Sequence, residues 1–92
     1  MTVRWTPTAL RDLQALHAFS ADERDSAAIH MVDRILEAIS ALEDFPEIGR
    51  RGRVAGTREL VVPPYVVAYR LRRGVIELLG IIHGKRRWPE RF

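Results

Sequence analysis

The chain has 92 residues, 47% hydrophobic and 29% charged, with 6 glycines and 5 prolines, a composition that excludes disorder and predicts one domain, 1–92, with a modest core. It holds no cysteine, which removes disulfides, thiolate catalysis and cysteine zinc sites. The net charge of +3 hides an uneven split: residues 1–49 carry four basic side chains against nine acids, residues 50–92 eleven against three.

In chain order, "TVRW" alternates as a short strand would. Thr6 followed by Pro7 opens a helix, because threonine can cap and proline suits the first helical position. Leu10, Leu13, Leu16 and Phe19 give that helix an apolar stripe. Ser20 with Glu23 reads as a capping box that restarts a second helix. This one carries Ala28, Val32, Ile35, Leu36, Ile39 and Leu42 on one face and stops near "DFPEIG", where Pro46 and Gly49 disfavour helix.

"GRRGRVAGTREL" follows, with four arginines and one acid, Glu59, in twelve residues. It reads as a connection into the strands "TRELVV", "YVVAYRL" and "VIELLGIIH". Tyr65, Val67, Tyr69 and Leu71 share one face of the middle strand. The last strand is apolar on both faces apart from Glu77, as an interior strand is, and Arg73-Gly74 makes a tight antiparallel turn. The predicted fold is α+β, in the order β-α-α-β-β-β, with a helical hairpin packed on one face of a small, mainly antiparallel sheet.

No transmembrane stretch or signal peptide is evident, which predicts a cytoplasmic protein. The basic half predicts an acidic partner, either nucleic acid or an acidic protein segment. Its candidate contacts are Arg50, Arg53, Arg58, Arg70, Arg72, Lys85, Arg86 and Arg87; arginine suits bidentate contact with carboxylate or phosphate. The competing reading is a solvated face that keeps the protein soluble. Trp88 is either a hydrophobic anchor for the tail or a binding aromatic.

The histidines at 17, 30 and 83 lack metal-ligand spacing, no phosphate loop or nucleophile elbow is present, and no cofactor or metal is expected. His83, followed by "GKRRW", is a candidate acid or base beside cations. Its alternative is a strand-end histidine hydrogen-bonded to backbone.

"WTPTALRDLQAL", "AISALEDFPEIGRRGRVAGTRELVVPPYVVAYRL" and "VIELLGIIHGKRRWP" together resemble the RelE/ParE superfamily of type II toxin–antitoxin toxins, closest to its ParE branch. The resemblance covers essentially the whole chain. It implies a bacterial toxin neutralised by a cognate acidic antitoxin with a DNA-binding N-terminal domain. RelE-like members cleave mRNA in the ribosome, whereas ParE-like members are associated with poisoning of DNA gyrase. The nucleases resemble one another in an arginine after the first aromatic of the penultimate strand; after Tyr65 this chain has Val66. They also tend to carry a catalytic tyrosine near the C-terminus, and here no tyrosine follows Tyr69. The resemblance therefore implies a gyrase inhibitor acting by binding. A ribosome-dependent endonuclease using His83, or a basic nucleic-acid-binding module, are the alternatives.

Overall fold

The structure, a computed structural model, describes residues 1–22 and 26–92, and the side chains of residues 1–18 and 30–92. The elements are β1 (Thr2–Trp5), α1 (Pro7–Asp22), α2 (Ser26–Ala41), β2 (Arg50–Arg51), β3 (Arg58–Val62), β4 (Tyr65–Arg72) and β5 (Val75–His83). They form the expected α+β fold, with a five-stranded sheet in the order β1-β5-β4-β3-β2. β1 runs parallel to β5, and the other pairs are antiparallel.

β2 is an addition to the expected three strands after the helices. It is two residues long, pairing Arg50 with Glu59 and Arg51 with Arg58. Short strands on a sheet edge leave little unpaired backbone for edge-to-edge aggregation.

Thr6 opens α1 as its sequence suggests: its Oγ1 accepts the Ala9 N–H at 3.3 Å while donating to the Leu78 carbonyl at 2.7 Å. One side chain thus caps the helix and ties it to the central strand. Further along, β5 outruns β1, whose register ends at the Trp5–Leu78 pair. The Ile81 N–H finds an acceptor instead in the Asp12 carboxylate of α1, at 2.9 Å. A buried backbone donor needs such a partner.

The helical stripe differs from the three-residue spacing. Ala9, Leu13 and Leu16 face the core, and Leu10 is exposed. On α2, Val32, Ile35 and Ile39 are buried, followed by Leu42 just past its end, while Leu36 points outward. The true period of 3.6 residues selects positions 9, 13 and 16 over 10, 13 and 16. α1 continues through Ser20 to Asp22 and α2 begins at Ser26, so no helix restarts at Ser20. Glu23 and the side chains of Phe19, Ser20 and Ala28 lie outside the described residues.

The helices meet one face of the sheet, where Tyr65, Val67, Tyr69 and Leu71 join Ile76, Leu78 and Ile81 in the core. Tyr69 is fully buried. Its hydroxyl accepts the Gly49 N–H at 2.9 Å and donates to the Pro46 carbonyl at 2.8 Å. Burial holds this phenol above its ordinary pKa, outweighing the Gly49 hydrogen bond that lowers it. Tyr69→Phe keeps the packing and strands the Gly49 N–H, an expected loss of about 1–3 kcal/mol. The urea midpoint checks this; an unchanged midpoint would show that the latch contributes nothing.

At the β4–β5 turn, Arg73 and Gly74 have φ of 52° and 76°. Both signs fit the primed turn that two-residue hairpins favour. Glycine takes this conformation freely, whereas a side chain such as arginine carries a strain of about 1 kcal/mol.

Candidate functional site

Alternation along the strands puts Arg4, Arg50, Glu59, Arg70, Arg72 and Glu77 on the face of the sheet turned away from the helices. Two of these are glutamates that are 2% and 3% exposed, Glu59 and Glu77. A carboxylate so deeply buried must be paired. Each is held by two arginines.

Glu59 sits opposite Arg50 in the β2–β3 register. Its Oε1 accepts Arg50 Nε at 3.1 Å and Nη2 at 2.9 Å. From the turn, Arg53 gives its backbone N–H to Oε2 at 2.8 Å, with its Nε at 3.2 Å. Burial would raise the Glu59 pKa, but the backbone and guanidinium hydrogen bonds of Arg53, with those of Arg50, together hold it below its ordinary value. The guanidinium of Arg53 also lies 3.9 Å from the centre of the Trp88 ring, a cation–π contact that fixes the C-terminal segment to the β2–β3 turn. The Trp88 Nε1 is buried and meets no acceptor among the described residues.

Glu77 is clamped across three strands. Arg70 Nε donates to its Oε1 at 2.8 Å from β4, and Arg4 Nη2 pairs with Oε2 from β1. Register explains the clamp, because Arg4 and Arg70 are the two lateral neighbours of Glu77 in the sheet.

The remaining candidates lie elsewhere. Arg58 faces the helix side and donates to the Glu47 and Gly49 carbonyls at 3.2 and 2.9 Å. Arg72 stands at the end of β4, exposed. Lys85, Arg86 and Arg87 follow β5 and are exposed. His83 meets Tyr65 edge to face at 5.4 Å between ring centres. With Asp12, Leu16 and Arg86 these two line a cleft of about 270 Å³. The His83 Nδ1 accepts the Lys85 N–H at 3.1 Å, which places the proton of the neutral ring on Nε2.

Sequence reasoning selected the arginines and missed the two glutamates that orient them, together with Arg4. For Glu59 the signal was present: it is the one acid within an arginine-rich stretch. For Glu77 and Arg4 the link is a pairing of strands from opposite ends of the chain.

A helical hairpin on one face of a mostly antiparallel sheet has its counterparts among toxin–antitoxin proteins. The chain is similar to a chain of the chromosomal ParDE toxin–antitoxin system from P. aeruginosa, with a TM-score of 0.75 at 26% identity, covering 90% of this chain and 95% of that one. It is also similar to a chain of the RelBE2 toxin–antitoxin complex from Mycobacterium tuberculosis, with a TM-score of 0.66, 26% identity and coverage of 89% and 95%. The class is therefore that of the RelE/ParE superfamily of type II toxins.

Within that class the chain belongs to the ParE family: the family model described as "ParE toxin of type II toxin-antitoxin system, parDE" matches residues 3–88. The protein Y4kP of Sinorhizobium fredii is 41% identical over 96% of this chain and 93% of its own length. Toxin RelE2 of Caulobacter vibrioides is 34% identical over 91% and 96%. No helix among the described residues is long and apolar enough to cross a membrane.

Proposed function

We propose that this ParE-family toxin acts in the cytoplasm by binding DNA gyrase and trapping its cleaved-DNA state, and that a cognate acidic antitoxin neutralises it. The observation that carries this reading is the state of the arginines. Arg50, Arg53 and Arg70 are oriented by carboxylates of their own sheet, which suits a binding surface of set geometry. Cleavage of RNA instead needs a base for the 2′-hydroxyl and an acid for the leaving oxygen. The histidine best placed for either has its Nδ1 occupied by backbone, and the Tyr69 hydroxyl is occupied in the core.

The two neighbouring toxin–antitoxin structures support a cognate antitoxin as partner, and the basic half of this chain suits one with an acidic, amphipathic tail beside a DNA-binding N-terminal domain. Leu10 and Leu36, exposed on the two helices, offer anchors for its apolar side, while its acids meet arginines of the basic half. Complex formation should slow as salt rises, since the steering field is screened.

In the test, purified toxin in stoichiometric excess is added to gyrase with supercoiled DNA. Stabilised cleavage complexes or inhibited supercoiling are expected, both reversed by the antitoxin; no effect on either would overturn the reading. The second reading is a ribosome-dependent mRNA endonuclease, favoured by the cleft that joins His83, Tyr65, Asp12 and Arg86. It predicts transcript cleavage during translation in vitro, abolished in His83→Ala. Intact transcripts with undiminished toxicity would dispose of it.

A further inference from the structure

One corner of the sheet is absorbed by none of these roles. Where β1 begins, β4 ends and β5 starts, Arg4, Arg72, Arg73, Val75 and Glu77 line an open cleft of about 260 Å³. Glu77 is occupied on both oxygens by Arg70 and Arg4, so its charge is already offset from within the protein. The side chains of Arg72 and Arg73 have no hydrogen-bond or ion-pair partner among the described residues, and both residues are exposed. Arg73 holds this place with φ at 52°, in a turn where glycine or asparagine would be unstrained. Backbone strain retained at a site is a reason to ask what its side chain does there.

We propose that this corner is a contact site for the phosphodiester backbone of a nucleic acid. Three features select that chemistry. All three cations are arginines, whose planar fork matches phosphate oxygens. They are spread rather than gathered: the register sets Arg4 and Arg72 two strands and two residues apart, about 12 Å between Cα atoms at ordinary sheet spacings. That spread suits phosphates along an extended backbone better than one free anion, with Arg72 and Arg73 open to the contact and Arg4 shared with Glu77. Finally, the lining contains a single apolar residue, half-buried Val75. A protein partner would need apolar anchors, and the exposed ones on the helices are Leu10 and Leu36.

The site deepens the gyrase reading, since gyrase holds DNA, but its test contains no gyrase and so fails or succeeds independently. Arg72→Ala with Arg73→Gly is compared with Arg11→Ala with Arg34→Ala, two exposed helical arginines, so that both variants lose the same charge. Binding of labelled duplex DNA and of single-stranded RNA of equal length is followed by fluorescence anisotropy over a range of salt. The hairpin variant should lose about tenfold in affinity at low salt, with the slope of log K against log salt flatter by about 2. The helix variant should change by less than about twofold. Loss on DNA, RNA or both supports the site and identifies its source.

The melting temperature separates this from a folding defect, because glycine relieves the turn and should leave it unchanged or raised. Equal losses in the two variants, or undiminished binding by the hairpin variant, would overturn the proposal.

Discussion

Removing both arginines around Glu59, as Arg50→Ala with Arg53→Ala, is expected to cost about 3–5 kcal/mol at neutral pH. The magnitude comes from the carboxylate and not from the cations. The side chains of Arg50 and Arg53 are 57% and 45% exposed, so in their absence little solvation is regained or lost at their own positions. Glu59 is 2% exposed beneath them, so its carboxylate depends on these two side chains for its charged partners. Without the guanidinium groups its remaining donor is the Arg53 backbone N–H. Either single substitution leaves one charged partner and should cost far less. The double variant should therefore exceed the sum of the singles, as coupled neighbours do.

The pH dependence carries a sign that separates this mechanism from simple loss of packing. In the wild type the folded Glu59 pKa lies below its ordinary 4.5. Its stabilising contribution is present above that value and is lost as pH falls through the lowered folded value. In the double variant burial dominates and the folded pKa rises above 4.5. Protonation then relieves the variant as pH falls through its raised folded value, so the gap between the two proteins should close from there down to the lowered value of the wild type. Denaturant titrations at several pH values measure it; a gap that stays constant would reject the clamp as its origin.

The parts of the fold legible in the sequence are those specified by near neighbours. Thr6-Pro7 starts α1, Arg73-Gly74 turns β4 into β5, and the alternation of Tyr65, Val67, Tyr69 and Leu71 gives the core face of β4. What escaped depends on register between distant segments. β2 is a strand because Arg50 and Arg51 lie against Glu59 and Arg58, and two arginines in a row carry no strand propensity to announce it. Leu10 and Leu36 are exposed where their neighbours Ala9 and Ile35 are buried, a choice that a stripe of leucines does not fix. The site shows the same division. The charge asymmetry of the two halves is plain in the sequence, but composition cannot distinguish an arginine held by a buried glutamate from one facing solvent. Arg50, Arg53 and Arg70 are of the first kind, Arg72 and Arg73 of the second.

Gly49→Ala and Gly52→Ala are expected to destabilise the fold by about 3 kcal/mol or more each, at the upper end of overpacking costs. A Cβ on Gly49 would stand 2.6 Å from the Tyr69 hydroxyl and 3.0 Å from the Glu59 carbonyl. Neither can retreat. The tyrosine is fully buried and its hydroxyl is bonded to Pro46, and the carbonyl belongs to a sheet strand. At Gly52 the added carbon would collide with the Thr57 hydroxyl and lie 2.9 Å from its carbonyl. That hydroxyl is committed to the Val54 carbonyl at 2.6 Å, and the Thr57 carbonyl accepts the Gly52 N–H at 2.8 Å.

Gly56 provides the contrast, with φ at 78° and no atom within 4 Å of its Cβ position; alanine there should cost only about 1 kcal/mol of backbone strain. Unfolding midpoints should rank the Gly49 and Gly52 variants together, well below the Gly56 variant. The function should follow the same order. Gly49 and Gly52 flank β2, so a carbon that forces β2 off β3 also pulls Arg50 and Arg53 away from Glu59. Antitoxin affinity measured on the folded fraction should fall in those two variants and persist in Gly56→Ala. Equal midpoints for all three would mean that the chain around β2 yields readily, and that the arginines are not held in place by the close approach of these glycines.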